Sequence, residues 1–229
     1  MKKALVCFTR IPKPGKTKTR LMPFLSGENC AKLHTAFLRD LSEMLKGYGV
    51  PCYIYYTGLE DPSELQLLRD IFPFAAGFLP QEGSDLGEKM HNALLHVLSL
   101  GYDCCVLTGS DLPLMNARHL DSGFTALEKA DVTLGPTEDG GYYLVGIKKP
   151  CYPLFSNQKY GSGSVYDSAV KAVEVSGQSF CRALSCSDVD TPDDLTQLEK
   201  QISPHSHTAR FLRNINVFRV EQDAGQETP

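Results

Sequence analysis

Apolar residues along the chain recur with two periods that take turns. Residues 4–9 form a short β-prone run closed by Pro12, Pro14 and Gly15, which predicts a buried strand followed by a loop. Over 28–46 the spacing changes to threes and fours through Leu33, Ala36, Phe37, Leu41, Met44 and Leu45, and Gly47 and Gly49 stop the helix this predicts. The same reading predicts strands at 50–57, 77–79, 102–108, 132–135 and 142–147, and helices at 61–72, 85–100, 117–129, 164–175 and 192–202. Strands alternating with helices at tight spacing pair in parallel through crossover connections. The expected fold is therefore α/β, a doubly wound, mainly parallel sheet with helices on both faces. In such folds ligands bind outside the carboxyl ends of the strands, where the loops 10–20, 109–113 and 136–141 converge. One domain is expected over 1–203. Residues 204–229 form a C-terminal extension, and 221–229 is polar enough to fray.

Composition narrows this picture. With 42% hydrophobic and 22% charged residues in 229, the chain can bury a core without disulfides or a structural metal. No apolar stretch approaches the roughly 20 residues of a membrane span, and Arg10 interrupts the first apolar run too early for a signal peptide, so a cytoplasmic protein is expected. The eight cysteines form neither a CxxC pair nor a regular framework, which reads as reduced, buried thiols. A net charge of −4 argues against nucleic acid as a partner. The distribution is uneven: residues 1–27 carry seven basic side chains and no acid, against an acidic remainder. Either a small polyanionic ligand or a solvated basic face accounts for that segment.

Four segments carry candidate chemistry. RIPKPGKTKTR at 10–20 follows the first strand and ends like a Walker A loop, but Arg10 stands where its first glycine belongs and Pro23 where its helix should run, so the P-loop reading fails. What remains is a loop whose Lys18 and Arg20 suit a phosphate chain, one as a point charge and the other as a bidentate fork. VLTGSDLPLM at 106–115 ends a strand in a small-residue turn with a single carboxylate. Asp111 there is either a Mg²⁺ ligand or a cap of the turn before Pro113. In GPTEDGGYYLVG at 135–146, Glu138 or Asp139 can accept hydroxyl hydrogen bonds and Gly140 and Gly141 admit a close ligand, although Asp139-Gly140 is equally a hairpin turn. In DVDTPDDL at 188–195, helix-start chemistry explains Thr191, Pro192 and Asp193 but leaves Asp188 and Asp190 over. No histidine is placed by pattern as a general base: His34, His91 and His96 fall on predicted helices, and His205 and His207 lie in the weakly patterned end.

PKPGKTKTRL, GSDLP, GPTEDGGYYLVG and DVDTPDDL, in this order, resemble the bacterial glycosyltransferase-like family of selenodomain-associated transferases. That family is similar to the nucleotide-diphospho-sugar transferase superfamily with its GT-A fold, whose members include the molybdenum-cofactor and 2-phospholactate guanylyltransferases. The resemblance implies a nucleotide site made by Arg10, Gly15, Lys16, Lys18, Arg20 and Ser110, with Lys18, Arg20 and Asp111 as catalytic residues. It implies Mg²⁺ (or Mn²⁺) held by Asp111 and Asp190. Asp85 and Glu88, from GSDLGEKM at 83–90, would lie on the acceptor side with Glu138, Asp139, Gly140 and Gly141. One departure stands out: family members often carry a Trp near residue 160, where this chain has Tyr160, Gly161 and Ser162 and no Trp anywhere. The implied activity is metal-dependent transfer from a nucleoside triphosphate or sugar nucleotide to a small-molecule acceptor, with nucleotidyl transfer favoured by the basic loop. Glycosyl transfer and a non-catalytic nucleotide-binding protein are the alternatives.

Overall fold

The computed structural model describes residues 1–215; the end expected to fray, 221–229, lies outside them. Strand β1 (Lys3–Arg10) leads through a loop to helix α1 (Gly27–Lys46). Next come β2 (Cys52–Thr57), α2 (Leu65–Ile71), β3 (Gly77–Pro80), α3 (Leu86–Ser99) and β4 (Cys104–Thr108). Helix α4 (Ala117–Lys129) precedes a hairpin of β5 (Val132–Pro136) and β6 (Tyr142–Ile147). Helices α5 (Tyr152–Phe155) and α6 (Val165–Val175), strand β7 (Phe180–Arg182), and helices α7 (Pro192–Glu199) and α8 (His207–Asn214) complete the described chain.

The sheet order is β3-β2-β1-β4-β6-β5-β7. All neighbours pair in parallel except at β6, which runs antiparallel to both β4 and β5. Strand alternation divides the core between the two faces. Leu5 and Cys7 of β1 join the cluster under α1, α2 and α4, while Ala4, Val6 and Phe8 join the one under α3, α5 and α6. Helix α1 starts where the Ser26 hydroxyl accepts the Asn29 amide at 3.2 Å and stops at Gly47. A third cluster, with Leu33 and Phe37 of α1 against Leu195, Leu198 and Leu212, binds α7 and α8 to the same body. Helix α8, within the segment expected as an extension, is capped at its start by Asp40 of α1, which accepts the amides of His207 at 2.6 Å and Thr208 at 3.0 Å.

Differences from the periodic reading are local. The segment 61–64 is a 3₁₀ turn, capped by Asp61 with Pro62 at its start, ahead of a shorter α2. Strand β7 has three residues, too few to show a period, and exists because it pairs with β5. Seven of the eight cysteines are buried and all eight are free, which suits small apolar side chains inside a sheet. No helix among the described residues is long and apolar enough to cross a membrane.

Candidate active site

Strands β1 and β4 lie side by side where the strand order reverses, so the loops that follow them diverge and leave a crevice. Because β6 is antiparallel, its first residue Tyr142 reaches the same sheet edge as the end of β4, with Leu144 opposite Thr108. The result is a cleft of about 490 Å³ bounded by the loop after β1, the turn after β4, the β5–β6 turn and the segment before α7.

Lys18 is the hub of one side. Its backbone is left-handed (φ 52°), a strained conformation for a lysine that turns the side chain inward instead of along the loop. Its Nζ lies 3.1 Å from Asp111 Oδ1 and 3.0 Å from Asp190 Oδ1, donates to the Val189 carbonyl, and sits 5.4 Å from the centre of the Phe37 ring. The side chain is only 3% exposed. Asp190 is brought there by its neighbour, since the Val189 amide donates to the Asp111 carbonyl at 3.1 Å. Arg20 donates to the other oxygen of Asp190 at 3.4 Å and remains 72% exposed, so its guanidinium can turn to a ligand.

Asp111 has a second partner that the sequence did not single out. His34 occupies the buried stripe of α1, and its Nδ1 lies 3.1 Å from Asp111 Oδ1. Its Nε2 lies 3.3 Å from Thr9 Oγ1, which accepts from the Ser110 hydroxyl at 3.2 Å. The available signal was its place beside Leu33 on the apolar face, since a buried imidazole needs partners. Burial alone would push the Asp111 carboxyl up, but Lys18 and His34 more than offset it and hold it well below the usual carboxylate range. Asp111 is thus charged at neutral pH.

The opposite side is more acidic, and Lys18 offsets its charge only in part. Burial and the charges of Asp190 and Asp139 push the Asp188 carboxyl up to about 6. Tyr142 and Tyr160 line the same side with their hydroxyls 3.3 Å apart, above Leu86, Met90 and Val165. Of the residues singled out from the sequence, Arg10, Lys18, Arg20, Ser110, Asp111, Asp139, Gly141 and Asp190 line the cleft. Others do not. Lys16 turns outward to Glu60, while Gly15 supplies a left-handed turn (φ 73°) in the same loop. Asp85 caps α3 by accepting the Glu88 amide at 2.9 Å, and Glu88 in turn accepts the Ser84 amide at 2.8 Å, so both carboxylates belong to the helix start. Glu138 is exposed outside the cleft, and Gly140 (φ 83°) shapes the turn against Gly163, whose carbonyl a Cβ would meet at 2.2 Å. Asp188, left over in the DVDTPDDL segment, and Tyr142 and Tyr160 also line the cleft, as do Thr9 and Gln81, which no motif names.

The donors facing one another here are carboxylate oxygens, a set suited to Mg²⁺ or Mn²⁺ rather than to a softer metal. The mutual repulsion that raises Asp188 is what a bound cation would relieve. Among the described residues, the one close group of three possible metal donors is Asp40, Glu43 and His207, away from the cleft, and Asp40 there caps α8.

Comparison with known proteins places this arrangement. A crystal structure from Desulfovibrio desulfuricans G20, described as a candidate nucleotide-diphospho-sugar transferase, is 31% identical, with a TM-score of 0.86 over 95% of this chain and 97% of that one. A 2-phospho-L-lactate guanylyltransferase of Methanocaldococcus infernus is 24% identical over 202 residues, 87% of this chain and 86% of its own. The 4-diphosphocytidyl-2C-methyl-D-erythritol synthase of Anaerococcus prevotii, 10% identical with a TM-score of 0.55 over 93% of this chain and 97% of that one, shares the fold alone. The family model described as "Uncharacterized protein conserved in bacteria (DUF2064)" matches residues 29–162, from α1 through the β4 turn and the β5–β6 hairpin to the Tyr160 loop, and the chain belongs to that family.

Proposed function

We propose that this transferase moves a nucleotidyl group from a nucleoside triphosphate to a small-molecule acceptor, with Mg²⁺ or Mn²⁺ as cofactor. The observation that carries this reading is the meeting of Lys18, Asp111 and Asp190, with Arg20 beside them, at the reversal point of the sheet. One buried cation, Lys18, and one that can turn, Arg20, beside two carboxylates form a binding place for a triphosphate and its counter-ion. An acceptor oxygen attacks the α-phosphorus, its bond to the nucleotide forms, and the bond to pyrophosphate breaks. Lys18 and Arg20 stabilise the charge gathering on the departing pyrophosphate, and His34 and Lys18 keep Asp111 ionised and oriented. A divalent cation held by Asp111 and Asp190 would neutralise phosphate charge. The guanylyltransferase relatives make guanosine triphosphate the first nucleotide to test.

Glycosyl transfer from a sugar nucleotide is the second reading, favoured by the phenols and carboxylates on the far side of the cleft, which suit a sugar ring. The two readings separate by product. Incubation with each nucleoside triphosphate, MgCl₂ and a panel of acceptors should release pyrophosphate, and EDTA should stop it. Release of a nucleoside diphosphate from sugar nucleotides, with no pyrophosphate from any triphosphate, would overturn the nucleotidyl reading.

A further inference from the structure

A second concavity lies outside the cleft and shares no residue with it. It is a groove of about 370 Å³ between α4 and the edge strand β7, lined by Arg118, Ser122, Thr125 and Lys129 of the helix and by Cys181 and Arg182 of the strand. Positions 118, 122, 125 and 129 recur at threes and fours and so form one face of α4, while Leu120, Phe124 and Leu127 are buried in the core. The two walls are fixed relative to each other. Pairing of β7 with β5 brings Arg182 to the groove, and the Leu184 amide donates to the Ser122 hydroxyl at 3.0 Å, tying strand to helix.

Three cations meet there on a protein whose net charge is −4. Among the described residues none of Arg118, Lys129 and Arg182 is in an ion pair. The acids close to them in sequence are engaged elsewhere: Glu128 pairs with Lys3 at 3.2 Å and Asp131 with Lys149 at 3.3 Å. Asp121, the one carboxylate among the lining residues, accepts the Tyr48 hydroxyl at 2.8 Å and leaves positive charge in excess. Spacing then selects among anions. Arg118 and Lys129 stand about 16 Å apart along the helix axis, with Arg182 on the other wall. A single phosphate cannot meet both ends, whereas a chain of phosphates spreads its charge along the groove. Two of the three cations are guanidinium forks, which take phosphate oxygens in pairs, and the Thr125 hydroxyl adds a donor.

We propose that the groove between α4 and β7 binds a small oligophosphate, an anion with at least two phosphate groups in a chain. Arg118 and Arg182 hold its oxygens as forks and Lys129 as a point charge. This second anion site is independent of the reaction in the cleft. Cys181 supplies a local reporter, since it lines the groove and is the one cysteine of the eight that is not buried.

The test is protection of that thiol. The full chain is alkylated with iodoacetamide in EDTA at fixed ionic strength, and the rate at Cys181 is followed by mass spectrometry against inorganic tripolyphosphate or orthophosphate. At saturation tripolyphosphate should slow the reaction by about fivefold or more, with a midpoint at least about tenfold below that of orthophosphate. Arg182→Ala and Lys129→Ala should each raise the tripolyphosphate midpoint by about threefold or more. Arg20→Ala alters the cleft alone and should leave the midpoint where it is. Calorimetry of tripolyphosphate with the Arg20→Ala protein gives a second midpoint, which should agree with the first. The proposal is overturned by the absence of protection, by equal midpoints for the two anions, or by protection that Arg182→Ala and Lys129→Ala leave intact. Protection lost in Arg20→Ala would overturn it too, by placing the anion in the cleft.

Discussion

The basic loop holds two sets of lysines that differ by a few residues in sequence and by almost everything in environment. Lys13, 13% exposed, and Lys16, 60% exposed, pair with Glu60 and Glu64 away from the cleft, Lys13 at 3.2 and 2.8 Å. Lys18 turns inward to Asp111 and Asp190 at 3.1 and 3.0 Å and is 3% exposed. The charge is the same in each case. The left-handed backbone of Lys18 (φ 52°) turns the chain just after Lys16, so the two lysines leave the loop on different sides. Exposed ion pairs contribute about 0–1 kcal/mol, whereas removing one partner of a buried pair costs about 3–5 kcal/mol because a charge is left without compensation. The positive charge of this loop therefore divides between a surface clasp and the cleft.

The largest expected effect lies at Asp111. Asp111→Asn preserves size and the turn but removes the charge, and metal-dependent pyrophosphate release should fall by about 10²–10³-fold or more. An active Asp111→Asn protein would return this residue to a turn cap.

Lys18→Met should be felt in both fold and function. It leaves Asp111 and Asp190 facing each other, and because both are about 40% exposed the loss should be below the fully buried case, about 2–3 kcal/mol, or about 5–10 °C in Tm. Lys16→Ala provides the contrast: Tm within about 2 °C and turnover within about twofold. Equal damage from both changes would erase the distinction between the two lysine sets.

Arg20 tests the cleft side without the fold. It is 72% exposed, so Arg20→Ala should leave melting unchanged within about 2 °C while lowering kcat/KM by about 10–100-fold, and Arg20→Lys should restore little because a point charge does not replace a fork.

The smallest expected effect concerns Asp188 and has a definite sign with pH. Its folded value of about 6 lies above the ordinary carboxylate value, so the ionised group subtracts stability at neutral pH and that loss is recovered as pH falls through 6 toward about 4. In metal-free protein, Asp188→Asn should therefore be more stable than the parent by about 1 kcal/mol at pH 7.5, after allowance for its partial exposure, with the difference narrowing at pH 5. Chemical denaturation at the two pH values measures it, and a variant less stable at pH 7.5 would contradict the net repulsion on that side.

Much of the fold was legible along the chain because its cues are local. The stripe of α1, the run of β1, the stop at Gly47 and the hairpin turn at Asp139-Gly140 each depend on neighbours within a few residues. Strand β7 was not legible, since three residues show no period and their pairing with β5 joins segments far apart. Within the cleft, Asp111 could be read from its position at a strand end. His34 could not, because a histidine on a helix carries no indication of which loop will fold over it.

The amino-acid sequence by itself determined the alternation of strands and helices, the crevice at the ends of β1 and β4, and the set of charged motifs that could gather there. Those follow from periodicity and turn chemistry, which act over a few residues. Only the tertiary structure decided that Lys18 and not Lys16 faces inward, that His34 meets Asp111, and that Asp188 shares its side with Asp139 and two phenols. The Lys18 to Asp190 contact closes 172 residues of chain, and the Ser110 to Thr9 contact closes 101. Such contacts exist only once the sheet has set its strand order and the backbone has fixed the direction of each side chain, and neither quantity is written in the neighbourhood of the residues concerned.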